Sequence, residues 1–190
     1  MHLIVGVSGA SGAPLALELL TALKQKGVET TLVVSLGADR ILRQELNMTK
    51  EELSALATRA EDNRNLGAAI ASGSCRTDGM IICPCSMKTL GGIHAGCCEG
   101  LLGRAADVTL KERRRLVLVP RESPFSPIHL RNMYELSMMG AVILPPVLSY
   151  YNEPASVRDM TCHTVGKILD SFGLEYEGYR RWEGMPDAEF

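Results

Sequence analysis

The sequence lacks a strong excess of either charge: 20 Lys and Arg stand against 22 Asp and Glu, for a net charge of -2. Such a chain has no basic field to draw it to nucleic acid or anionic lipid, so neither is expected as a partner. It also lacks any apolar run approaching the roughly 18 residues of a membrane span, so no membrane helix is expected. The first 27 residues hold no basic stretch followed by an apolar one, and six cysteines in 190 residues do not make a small secreted disulfide framework. A reducing cytoplasm is therefore the expected location. Linkers, internal repeats and low-complexity tracts are missing too. One domain over residues 1–173 with a tail over residues 174–190 follows. The four histidines (His2, His94, His129, His163) share no spacing, and Cys83-Pro84-Cys85 lacks the two-residue gap of a zinc or redox pair. No metal is expected, and Cys83 and Cys85 read as core thiols.

What is present is a repeated strand-then-helix pattern. Apolar runs at residues 3–7, 30–35, 79–84, 115–120 and 141–146 each precede a helical stretch, as Leu15, Leu19, Leu20 and Leu23 do after the first. Runs without polar alternation suit strands covered on both faces, and the alternation implies parallel pairing. The expected fold is α/β: a doubly wound open parallel sheet in a three-layer, Rossmann-like sandwich. Thr49 with Glu52 forms a capping box that opens a short helix, and residues 61–78 read as a loop with a short helix inside it. Ligands in this architecture bind beyond the carboxyl ends of the strands, so those ends carry the functional reading.

After the first strand stands Gly6-Val7-Ser8-Gly9-Ala10-Ser11-Gly12. Its glycines allow close backbone approach, and the helix start behind it offers N–H groups to an anion; the alternative is a tight turn with no ligand. The spacing is not the dinucleotide fingerprint, and Ser35 ends the second strand where an acidic ribose ligand would be needed. Pro84-Cys85-Ser86-Met87-Lys88-Thr89 then opens the next helix with two hydroxyls and an ammonium, either as a second anion cradle or as a plain cap. Arg121 and Glu122 end the fourth strand. Arg104, Asp107 and Lys111 fall on one helix face, lining a phosphate pocket or forming a surface ion-pair stripe. In the last helix Val157, Val165, Ile168, Leu169 and Phe172 make the buried stripe. Lys167 lies off it, as surface or as a partner of Tyr151 toward phosphate. Tyr176, Tyr179 and Trp182 place aromatics on the tail, which suggests docking on a neighbouring subunit.

The segments GVSGASGAP, SGSCRTDGMIICPCSMKTLGGI, GLLGRAADVTLKERRRLVLVPRESPFSPIHLRNM and GAVILPPVLSYYNEP resemble the UbiX-type flavin prenyltransferases, including the homologues that accompany hydroxyarylic-acid decarboxylases. The similarity runs from about residue 3 to Trp182. It implies a flavodoxin-like fold, a homododecamer, and metal-independent transfer of a dimethylallyl group from dimethylallyl phosphate to reduced FMN, at ring nitrogen 5 and ring carbon 6. The product would be prenylated FMN, used by a partner UbiD-type decarboxylase. On this chain the resemblance implies that Gly9, Ala10, Ser11, Ser35, Ser86, Met87, Lys88, Thr89 and Arg121 hold FMN. Arg104, Lys111, Tyr151 and Lys167 would grip the substrate phosphate, Lys167 standing where the family more often has Arg. Ser11, Glu45 and Glu122 resemble its proton-handling groups, and Trp182 a wall beside the allyl cation. The competing readings are an FMN-dependent decarboxylase of the phosphopantothenoylcysteine type, whose catalytic histidine and Asn-containing loop are absent here, and a non-catalytic FMN-carrying subunit.

Overall fold

The structure is a computed structural model, and it describes residues 1–184. Six parallel strands form one sheet: β1 (His2–Val7), β2 (Glu29–Val34), β3 (Arg59–Asp62), β4 (Gly79–Cys85), β5 (Arg115–Pro120) and β6 (Val142–Ile143). Their order is β3-β2-β1-β4-β5-β6. The direction of winding reverses between β1 and β4, so the switch point lies where the glycine loop and the PCSMKT segment leave the sheet. The helices are α1 (Ala13–Gln25), α2 (Leu36–Leu46), α3 (Lys50–Ser54), α4 (Met87–Ala95), α5 (Gly100–Lys111), α6 (Pro127–Met138) and α7 (Val157–Asp170).

Alternate residues of the central strands feed two cores, one on each face. Leu3, Val5, Ile81 and Cys83 pack with α1 and α7, whereas Ile4, Met80, Ile82 and Cys85 pack with α4, α5 and α6. Leu19, Leu20 and Leu23 are fully buried, each contributing about 1.5–3 kcal/mol by removal from water. Burial also raises the Cys83 and Cys85 thiols, the latter to about 12, which suits core side chains and not reactive ones.

Three local expectations need correction. Arg59–Asp62 is an edge strand paired to β2 through its backbone and an Arg59–Glu29 ion pair at 3.0 Å, its side chains largely exposed. The expected fifth strand shrinks to Val142–Ile143 because Pro145 and Pro146 have no N–H to continue the ladder. Val157 opens α7 at 79% exposed and is no part of the buried stripe, which Val165, Ile168 and Leu169 form, and Phe172 lies past the helix end, half-buried. The Thr49–Glu52 capping box is present, and the loop after β3 contains the expected short helix, a 3-10 turn at Ala69–Ala71.

Candidate active site

Two helix starts face one cleft at the switch point. Ser35 caps α2 by accepting the Ala38 amide at 3.3 Å, and Ser86 caps α4 by accepting the Thr89 amide at 3.2 Å. Each cap satisfies only its third helical amide, so the earlier amides of both first turns have no intrahelical partner. Ser8, buried at the end of β1, locks the two loops together: its hydroxyl donates to the Pro84 carbonyl at 3.0 Å and accepts the Ser86 amide at 2.7 Å. Gly9 meets Gly37 backbone to backbone; a Cβ on Gly9 would stand 3.1 Å from the Gly37 Cα. The resulting cleft has a volume of about 1080 Å³ and is lined by Gly9, Ser35, Ser86, Lys88 and Thr89 among others. Open amides, small residues and that volume fit an anionic mononucleotide such as FMN. Ala10 is buried behind the cleft, and Met87 is half-buried at the start of α4. Lys88 lies 3.2 Å from Glu99 across the mouth, with both side chains strongly exposed. This pair is weak and the ammonium is available to a ligand.

The start of α1 is a different case, and here the sequence reading is corrected. Glu45, reaching in from α2, accepts the Gly12 and Ala13 amides at 2.9 and 2.8 Å. The chain's own carboxylate therefore occupies the amides that an external anion would need. Burial pushes the Glu45 carboxyl up, but the Ser11 hydroxyl, the two amides and the Arg121 guanidinium together hold it below the usual carboxylate range. Ser11, Glu45 and Arg121 thus form one polar cluster at the lip of the sheet. Glu122 follows directly, exposed, its Oε1 accepting the Ser123 amide at 3.0 Å.

The expected phosphate ligands fall in two further places. Arg104 donates to Asp107 at 2.6 Å and to the Ala71 carbonyl at 3.1 Å, while Lys111 is ion-paired with Glu112. Gly100, Leu102 and Gly103 of α5 line the cleft with Cys98, so Arg104 follows directly on the cleft wall. Tyr151 lies elsewhere, edge-on to Trp182 with ring centroids 5.4 Å apart and to His163 of α7 at 5.8 Å; the exposed Lys167 is on the same helix as His163. The tail packs on its own chain: Tyr176 donates to Glu18 of α1 at 2.7 Å, Tyr179 donates to Asp170 of α7 at 2.6 Å, and Arg181 makes a two-pronged contact with the Asp170 carboxylate at 3.0 and 2.7 Å. Residues 185–190 of the expected tail lie outside the described residues.

The cleft also includes residues that sequence reasoning missed: Leu36, Gly37, Asn63, Arg64, Leu66 and the α4–α5 connection at Cys97 and Cys98. Asn63 caps α5, accepting the Leu101 amide on its carbonyl at 2.7 Å and the Leu102 amide on its Oδ1 at 2.9 Å. It follows a strand end, and recognition of β3 would have pointed to it. Among the described residues no group of three His, Cys, Asp or Glu is arranged to hold a metal ion, and no helix is long and apolar enough to cross a membrane.

An open parallel sheet with paired helix starts at its switch point defines a mononucleotide-binding class of α/β protein. The chain belongs to the Flavoprotein family, whose model matches residues 1–171, and within it to the UbiX-like flavin prenyltransferases. A relative from Streptomyces sp. (strain D7), named "Probable UbiX-like flavin prenyltransferase", is 54% identical over 189 residues, covering 99% of this chain and 94% of its own. Two solved structures are similar throughout. The dodecameric FMN-dependent UbiX-like decarboxylase from Escherichia coli O157:H7 has a TM-score of 0.95 at 52% identity, covering 97% of this chain and 100% of its own. AnUbiX (PadA1), solved in complex with FMN and dimethylallyl pyrophosphate, has a TM-score of 0.96 at 46% identity, covering 97% and 98%.

Proposed function

We propose that this protein is a flavin prenyltransferase that joins the dimethylallyl group of dimethylallyl phosphate to reduced FMN, making prenylated FMN for a partner UbiD-type aryl-acid decarboxylase. The observation that carries this reading is the cleft with two open helix starts beside separate sets of cations, in a chain that matches over its length a structure holding FMN and dimethylallyl pyrophosphate. Reduced FMN, when bound, supplies nucleophilic ring positions at nitrogen 5 and carbon 6. Gly9, Ala10, Ser11, Ser35, residues 86–89 and Arg121 would hold it.

Breaking the allylic carbon–oxygen bond leaves its electron pair on the phosphate oxygen, so cations at that oxygen stabilise the change. Arg104, Lys111, Tyr151 and Lys167 supply that grip. The lysine at 167 keeps the charge but not the two-pronged fork of an arginine. Glu122 is exposed and lightly bonded, which suits a group that moves protons; Ser11 and Glu45 complete the polar lip, with Glu45 held ionised. Trp182 gives an aromatic wall for the allyl cation.

In one chain these groups lie in three places, so we place the complete site between subunits of a homododecamer, the assembly described for the E. coli relative. Exposed Ile128, Leu130, Tyr134 and Met138 on α6, with Val147, Leu148 and Tyr150, supply apolar surface for such contacts. The tail, seated on α7, would present Trp182 to a neighbour. A cytoplasmic location fits the six free cysteines. The test is anaerobic incubation of protein, reduced FMN and dimethylallyl phosphate, followed by flavin mass. A gain of one five-carbon unit is expected; unaltered FMN at saturating substrates would overturn the assignment.

A further inference from the structure

His163 is more than nine-tenths buried, yet its Nδ1 has no hydrogen-bond partner among the described residues. It belongs to neither the proposed flavin set nor the proposed phosphate set. Its ring meets two others edge-on: Tyr151 at 5.8 Å and 83°, and Tyr179 at 5.3 Å and 88°. Tyr179 is itself fixed. It lies flat against Gly166, where a Cβ would fall 2.1 Å from a ring carbon, and its hydroxyl is held by Asp170. On its far side Tyr151 meets Trp182. A line of rings, Trp182, Tyr151, His163 and Tyr179, therefore runs from the exposed Trp182 through the α7 histidine to Tyr179. Lys167 follows His163 by four residues on α7, on the same side of the helix.

We propose that His163 is a positioning residue for the donor-phosphate end of the site, an edge-on wedge that keeps Tyr151 in register with Lys167. The proposal rests on the reading of Tyr151 and Lys167 as phosphate ligands. Edge-to-face contacts orient a ring as well as bury it, and each contributes beyond the area it covers. Tyr151 is 54% exposed and the structure gives its hydroxyl no hydrogen bond to a described residue, so ring packing is what sets its direction. Burial, and then the charge of Lys167, depress the His163 pKa, against a smaller opposing pull from Asp170. That bias toward the uncharged imidazole suits a packing surface.

The test compares the assembled parent enzyme with His163→Leu and His163→Phe, using reduced FMN and dimethylallyl phosphate. His163→Leu keeps apolar volume but removes the ring edge; the donor KM is expected to rise about tenfold, with kcat and the FMN titration within about twofold of the parent. His163→Phe restores a ring edge and removes the orphaned nitrogen, so its donor KM should return to within about twofold of the parent. A parent-like KM in His163→Leu, or a raised KM in His163→Phe, overturns the proposal. Tyr151→Ala and Lys167→Ala, measured alongside, separate the two levels. If both raise the donor KM while His163→Leu does not, the phosphate grip stands and the wedge falls. If neither raises it, the grip itself is wrong and the wedge falls with it.

Discussion

The residues proposed to hold flavin and those proposed to grip phosphate are positioned by different means. Around the cleft, position is set by backbone: Ser8 stitches two loops, Ser35 and Ser86 cap their helices, and Gly9 touches Gly37 with no side chain between. On the phosphate side, position is set by side chains that lie on the surface. Arg104 and Lys111 sit in local ion pairs, and Tyr151 and Trp182 rest on each other. The first arrangement is fixed by contacts within the chain, as the proposed anion cradle requires. The second consists of groups in local ion pairs and ring contacts whose partners can be exchanged, as the proposed holding and release of phosphate requires.

This contrast predicts which variants damage which step. The largest effect is expected from Glu122→Gln, which keeps shape but removes an acid–base group: single-turnover transfer should slow by about a hundredfold, with both substrates still bound. Lys111→Ala should slow transfer about thirtyfold through loss of a charge-assisted contact to the leaving oxygen, while FMN titration changes by less than about twofold. Gly37→Ala acts on the other side. Its Cβ would lie 3.3 Å from the Gly9 Cα, so the loops must part slightly, and FMN affinity should fall about tenfold with little change in transfer at saturating flavin. Ser86→Ala removes a helix cap, a loss of about 1 kcal/mol, and FMN affinity should drop about fivefold. The smallest effect concerns acid. Glu45 is more acidic folded than unfolded, so its cap on α1 contributes fully above the usual carboxylate range and is lost as pH falls through its lowered value. Glu45→Gln should flatten that part of the acid unfolding curve, read by circular dichroism.

The same contrast explains what could be read from the sequence. Ser35 and Ser86 were legible because strand ends and helix caps are local patterns, and the cleft lies where those patterns meet. β3 was not: Arg59–Asp62 carries no apolar signal because an edge strand needs only backbone pairing, and Asn63 was lost with it. Nor could local pattern show that Glu45 closes the start of α1 from 33 residues away, or that Asp170 anchors the tail through Arg181. Arg104, Asp107 and Lys111 were legible as one face with an ion-pair stripe as one outcome, which Arg104–Asp107 realises, but not the choice of Glu112 as the partner of Lys111, which depends on side-chain rotamers.

The central claim is that flavin holding and phosphate handling are separate functions of one site, and the most direct test measures both on the same two variants. FMN titration and single-turnover prenylation with reduced FMN and dimethylallyl phosphate are run on Gly37→Ala and Lys111→Ala. The account predicts a crossed result, with Gly37→Ala weak in FMN binding and near parent in transfer at saturating flavin, and Lys111→Ala the reverse. Equal losses in both measurements for both variants, or parent-rate transfer by Lys111→Ala, would contradict it.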